Sequence, residues 1–128
     1  MRFWLFMFIN DLICPLSMIG FGKLFMNSVP KNINSVFGYR TRMSSINHDT
    51  WEFAHKYSGK ILYISGLVSL VPSIIVMIFL FGKSRDVIEN TGVAVEAVQI
   101  VLIVSVIFPT EIALRKNFDR AGNRKELQ

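Results

Sequence analysis

The chain has one cysteine in 128 residues, Cys14, so it forms no internal disulfide, and that residue is read as a small apolar packing group. Charge is missing over one long stretch: nothing from Ile61 to Phe81 is ionisable as Asp, Glu, Lys or Arg. An HExxH motif and a paired-cysteine metal motif are both absent, as is any convincing nucleophile with a base beside it. These absences speak against a metalloenzyme or an acyl-transfer enzyme. No catalytic residue, cofactor or metal is therefore expected. Acids are also scarce, 9 against 14 Lys and Arg, and the basic tail carries a single aromatic residue, Phe118, among its cations and no interleaved aromatic pattern. A basic tail of that kind argues for anionic lipid and against direct nucleic-acid binding.

What the chain does have is apolar residues, 52% of the total with Phe alone at 11, gathered into three blocks. A helix needs roughly 20 apolar residues to cross the hydrocarbon core, and in lipid only helices or closed barrels satisfy their own backbone. The fold class expected is an all-α integral membrane protein, a single membrane domain over residues 1–128. Helix 1 is placed at about 3–25, helix 2 at about 61–82 and helix 3 at about 93–114, with a short turn from Lys83 to Asn90 and a basic tail over 115–128. The first block is interrupted by Asn10, Asp11, Pro15 and Lys23. No small-x-small cleavage site follows it, and Ile13 stands where a lipoprotein signal needs a small residue before Cys14, so it is expected to stay as a helix.

Basic residues fall unevenly about these spans. Lys31, Arg40, Arg42, Lys56, Lys60, Arg115, Lys116, Arg120, Arg124 and Lys125 share one side, against Arg2, Lys83 and Arg85 on the other. The positive-inside rule puts the linker and the tail in the cytoplasm.

The linker carries most of the information. Pro30 stops the first helix, Gly38 marks a turn, and Tyr39 suits the membrane interface, with Arg40 and Arg42 placed where carboxylates, lipid phosphates or helix C-termini could be paired. Asn34, Thr41 and Ser44 are expected to hold the turn through side-chain to backbone bonds. Asp49 with Glu52 resembles a capping box for a helix from Asp49 to Lys60 that runs toward the second span. On it, Trp51, Ala54, Tyr57 and Ser58 are expected to share a face, with Trp51 as an interface anchor, and Gly59 with Gly66 permits close helix approach. His48, Glu52 and His55 recur at helical spacing as a loose metal pattern, for which an exposed polar face is the simpler account.

The stretch "VPKNINSVFGYRTRMSSINHDTWEFAHKYSGK" resembles the signature loop of the SdpI family, small bacterial membrane proteins. Pro30, Asn34, Gly38, Tyr39, Arg40, Thr41, Ser44, Trp51, Ala54, Gly59 and Lys60 fill the pattern over residues 29–60, and His55 stands where the family usually carries Asn. The resemblance implies immunity against a secreted peptide toxin and, in the best-known arrangement, capture of a transcriptional repressor at the membrane. Other readings weighed are a membrane enzyme acting on lipid or cell-wall phosphates, with the arginine turn as phosphate site, and a small transporter subunit. Self-association is expected of so thin a bundle.

Three acids complete the candidate list. Asp11, midway along the first block, is expected to face the bundle interior beside Asn10; Glu96 to reach toward headgroups; and Glu111 to pair with Arg40 or Arg42. Pro109 is expected to kink the third helix.

Overall fold

A computed structural model describes residues 1–33 and 38–125. It contains four helices: α1 (Arg2–Asn27), α2 (His48–Phe79), α3 (Arg85–Ser105) and α4 (Ile107–Asn117). Three stretches, Arg2–Asn27, His48–Phe79 and Arg85–Asn117, are long and apolar enough to cross a membrane. Their apolar side chains mostly point outward: Phe6, Val68, Val71, Ile78, Val101 and Phe108 are all more than half exposed. In water that surface would be an untenable apolar patch; against lipid tails it is an ordinary one.

α1 ends three residues before Pro30. α2 has 32 residues, about 48 Å at 1.5 Å per residue, which exceeds the roughly 30 Å hydrocarbon core. Its charge-free part begins at Ile61, so the first three turns or so stand clear of the apolar layer. The second half of the signature segment is therefore the start of a membrane helix, and only the connection before His48 is loop. α2 stops at Phe79, where Leu80 to Gly82 turn the chain, and the Ser84 side chain caps α3. That cap starts α3 at Arg85, eight residues ahead of the expected start, so Arg85 to Asn90 belong to the helix and not to the turn.

The third span is broken in two. Pro109 has no N–H to donate to the Ser105 carbonyl four residues back, and the helix stops at Ser105 and restarts at Ile107. The restarted helix leans on α2: Leu114 and Phe118 pack with Ala54, and Tyr39, Met43 and Phe53 cover them. At the opposite end Met7, Met77, Leu80 and Ile88 form a second cluster under Phe3, Trp4 and Phe8, and the Trp4 indole donates to the Met77 carbonyl at 2.7 Å.

Between these clusters α1 and α2 touch backbone to backbone. A Cβ on Gly22 would stand 2.6 Å from the Gly59 carbonyl oxygen, and a Cβ on Gly59 would stand 2.8 Å from the Gly22 carbonyl oxygen. About two turns further along α2, a Cβ on Gly66 would meet Met18 and Ile19 at 3.0 Å or less. Helices in lipid gain little from hydrophobic exclusion and associate by close packing and interhelical hydrogen bonds, which small residues allow.

Gly59→Val is expected to cost about 2–3 kcal/mol of bundle stability, because backbone cannot yield as a side chain does. Gly20→Ala, at a position with nothing within 4 Å, is expected to be nearly neutral. Thermal unfolding in detergent, followed by circular dichroism, separates the two.

Candidate functional site

The loop after α1 returns to α2 through one histidine. His55 is fully buried, and both of its ring nitrogens are used. The Tyr39 backbone N–H donates to Nε2 at 2.9 Å, so Nε2 carries no proton. Nδ1 therefore holds the hydrogen and donates it to the Trp51 carbonyl, 2.8 Å away on the preceding turn. Trp51 lies against the ring at 4.3 Å and Phe25 of α1 meets it edge-on at 5.0 Å. Gly38 sits directly over Nε2 with φ of 107°, so a side chain there would be strained and would also strike the imidazole.

Trp51 is 1% exposed, and its indole donates to the Pro30 carbonyl at 2.8 Å. It is thus a buried strut between the end of α1 and the start of α2 and does not lie at the interface as an anchor. The inward face of this turn is Trp51, Ala54, His55, Ser58 and Gly59, whereas Tyr57 points out. The same geometry removes His55 from the side of His48 and Glu52, so those three do not converge on a metal.

The arginine turn is closed by Thr41 and Ser44. The Thr41 N–H donates to Ser44 Oγ at 2.8 Å, and the Ser44 N–H donates to Thr41 Oγ1 at 3.2 Å. Three residues later the chain repeats this device: Thr50 N–H donates to Asn47 Oδ1 at 2.9 Å and Asn47 N–H donates to Thr50 Oγ1 at 3.1 Å. That reciprocal pair is the capping box of α2, in place of Asp49 and Glu52. Asp49 is left to accept from Nε and Nη2 of Arg124, at 2.8 and 2.7 Å, and Glu52 pairs with Lys56 at 2.7 Å. With the Asn47 side chain donating to the Gly122 carbonyl at 2.9 Å, the tail is stitched to the same end of the bundle as the loop.

Tyr39 joins this end to α4. Its hydroxyl donates to Glu111 Oε1 at 2.8 Å, so the partner seen for Glu111 is a phenol and not the expected arginine. Burial pushes the Tyr39 phenol above its ordinary range, and the Glu111 carboxylate pushes it the same way, so it stays a donor at any physiological pH. Arg40 and Arg42 are exposed. Arg42 shares with Glu111, Arg115, Phe118, Arg120 and Lys125 an open groove of about 580 Å³. Four cations, Arg42, Arg115, Arg120 and Lys125, stand there against two acids, Glu111 and Asp119, so the groove carries a net positive charge. Lys60 is also exposed and points outward. Asn34 and Phe37 lie outside the described residues.

The other two acids sit together deeper in the bundle. Asp11 is fully buried, and Glu96 accepts from the Asn10 amide at 3.1 and 3.2 Å, so it turns inward to α1 where the headgroups were expected. Gln99 and Ser73, which sequence reasoning passed over, join Asp11 there. A signal for that node existed: Pro15 stands four residues after Asp11 and strips the Asp11 carbonyl of its helical donor.

The sequence model of the SdpI/YfhL protein family matches residues 31–110. The uncharacterized protein YfhL of Bacillus subtilis (strain 168) is 51% identical over 39 residues, which is 30% of this chain and 36% of that protein. This chain thus matches little more than a third of that relative's length. No solved structure matches it.

His55→Ala removes two hydrogen bonds and the ring between Trp51 and Phe25, and is expected to cost about 3 kcal/mol. His55→Asn keeps an amide at that position and is expected to cost about 1 kcal/mol, as is Tyr39→Phe. Limited proteolysis should cut the Ser28–Asn47 connection in the alanine variant well before the other two.

Proposed function

The chain belongs to the SdpI/YfhL protein family, and from that premise we propose that it is a multi-pass bacterial membrane protein giving immunity against a secreted peptide toxin. The observation that carries this reading is the ordered arginine turn. His55 and the Thr41–Ser44 pair hold its backbone still, while Arg40 and Arg42 remain at the surface. A turn built only to join two helices needs no buried histidine beneath it. A rigid backbone under exposed arginines is instead what bidentate recognition of a carboxylate or phosphate requires.

The excess of cations at this end, by the positive-inside rule, puts the turn and the tail in the cytoplasm. There the groove between Arg42, Arg115, Arg120 and Lys125 suits an acidic segment of a partner protein. In this reading a membrane-held transcriptional repressor is the partner, and anionic lipid headgroups border the same surface. Toxin sensed from the membrane and a repressor held at the loop would then be linked through α2, whose one helix runs from the turn into the lipid.

The test is survival. Cells sensitive to a sporulation-delaying type peptide are made to express the wild type, Arg40→Ala or a variant carrying Arg42→Ala with Arg115→Ala, at matched membrane levels. Wild-type protection is expected. Each charged contact removed is expected to weaken partner binding by roughly tenfold or more, with survival falling accordingly. A wild type that gives no protection overturns immunity to that peptide.

A further inference from the structure

Midway through the bundle the three spans meet at a polar node in which acceptors outnumber donors. Pro15 cannot donate to the Asp11 carbonyl, and Gln99 of α3 does so instead, Nε2 to O at 3.0 Å. The same Gln99 amide donates to Ser73 Oγ of α2 at 2.8 Å, and the Ser73 hydroxyl passes its own hydrogen to the Ser69 carbonyl at 2.7 Å. Every one of these donors is then spent. Three buried acceptors remain without a hydrogen-bond partner: Asp11 Oδ1, Asp11 Oδ2 and Gln99 Oε1. Asp11 is 0% exposed and Gln99 1%.

Among the described residues no cation faces Asp11 from any helix around it. On α3, Glu96 acts on it with a charge of the same sign, and Gly92 offers only backbone. α2 contributes the uncharged Ser69 and Ser73. On α1, Cys14 is the nearby titratable group and Asn10 is committed to Glu96. A bare carboxylate so placed is among the costliest arrangements a bilayer permits. A divalent ion does not relieve it: among the described residues no group of three or more His, Cys, Asp or Glu gathers at one point. A proton does relieve it. It cancels the charge and turns one stranded acceptor into a donor, in a node where the Gln99 amide oxygen also lacks one.

We propose that Asp11 is an intramembrane proton-binding site, and that the protonated acid, with Gln99 and Ser73, is what completes the contact of α3 with α1 and α2. The consequence is a proton-sensitive α3. Loss of the proton sets a second negative charge beside Glu96 within the bundle, and repulsion then acts against the helix that carries Gln99. This reading stands independently of toxin immunity.

Infrared spectroscopy of the full chain in lipid vesicles at neutral pH tests it. Of the four aspartates, Asp49, Asp86 and Asp119 are exposed and Asp11 alone is buried. The expected result is a protonated-acid carbonyl band that shifts when aspartate is labelled with carbon-13 at the side-chain carboxyl. The band should vanish in Asp11→Asn, which keeps the shape of the neutral acid and its helical content, and should persist in Glu96→Gln. The absence of a label-sensitive band in the wild type overturns the proposal, as does a band that survives Asp11→Asn. Thermal stability that rises with sodium in a wild type lacking the acid band assigns the node to a metal cation and also overturns it. The labelled wild type decides the matter even where a variant fails to fold.

Discussion

The backbone contact of α1 with α2 at Gly22 and Gly59 is the constraint on which the rest of the molecule depends. Between lipid-bathed helices there is no water to expel, so attraction comes from dispersion and hydrogen bonds, and both fall off steeply with distance. Two glycines facing each other's carbonyls bring the axes closer than any larger pair allows. At one end this seats Phe25 against the His55 ring and the Pro30 carbonyl over the Trp51 indole. At the other it brings Trp4 within reach of the Met77 carbonyl. Widening the crossing by one methyl group would strain both ends together.

The two polar stations along this crossing differ in kind. At the loop end every polar group named has a partner: imidazole, indole, both hydroxyls of the turn and the cap of α2 are all bonded. A fully satisfied network specifies a single backbone arrangement, as a recognition surface requires. The station in mid-bundle is under-supplied with hydrogens, and its stranded atoms are concentrated on Asp11 and Gln99. Rigidity and readiness to take up a proton are thus separated along the same pair of helices, one in each station.

Two prolines shape both stations by what they cannot donate. Pro15 exposes the Asp11 carbonyl, and an amide from α3 fills the gap, so a defect in one helix becomes a bond to another. Pro109 interrupts the third span at Val106, and beyond it α4 presents Glu111 to Tyr39 and packs Leu114 and Phe118 with Ala54.

Much of this was legible in the sequence. Three spans follow from length and hydropathy because the bilayer imposes one dimension on every crossing. The break near Pro109, the stop before Pro30, the inward aspartate and the small-residue approach at Gly59 and Gly66 are local consequences of single residues. The Gly-aromatic-Arg-Thr turn named the family for the same reason, since a turn is built from neighbours in the chain. What the sequence could not reveal was which side chains meet across helices. The Tyr39 hydroxyl on Glu111, Gln99 bridging Asp11 and Ser73, Asn47 reaching the Gly122 carbonyl and Asp49 held by Arg124 all join residues 26 to 88 positions apart. Helical periodicity tells which residues share a face, but the rotation of one helix against its neighbour decides what that face touches. Here that rotation was decided by two glycines and two prolines acting together, and it turned His55 from a candidate ligand at the surface into the buried post on which the arginine turn rests.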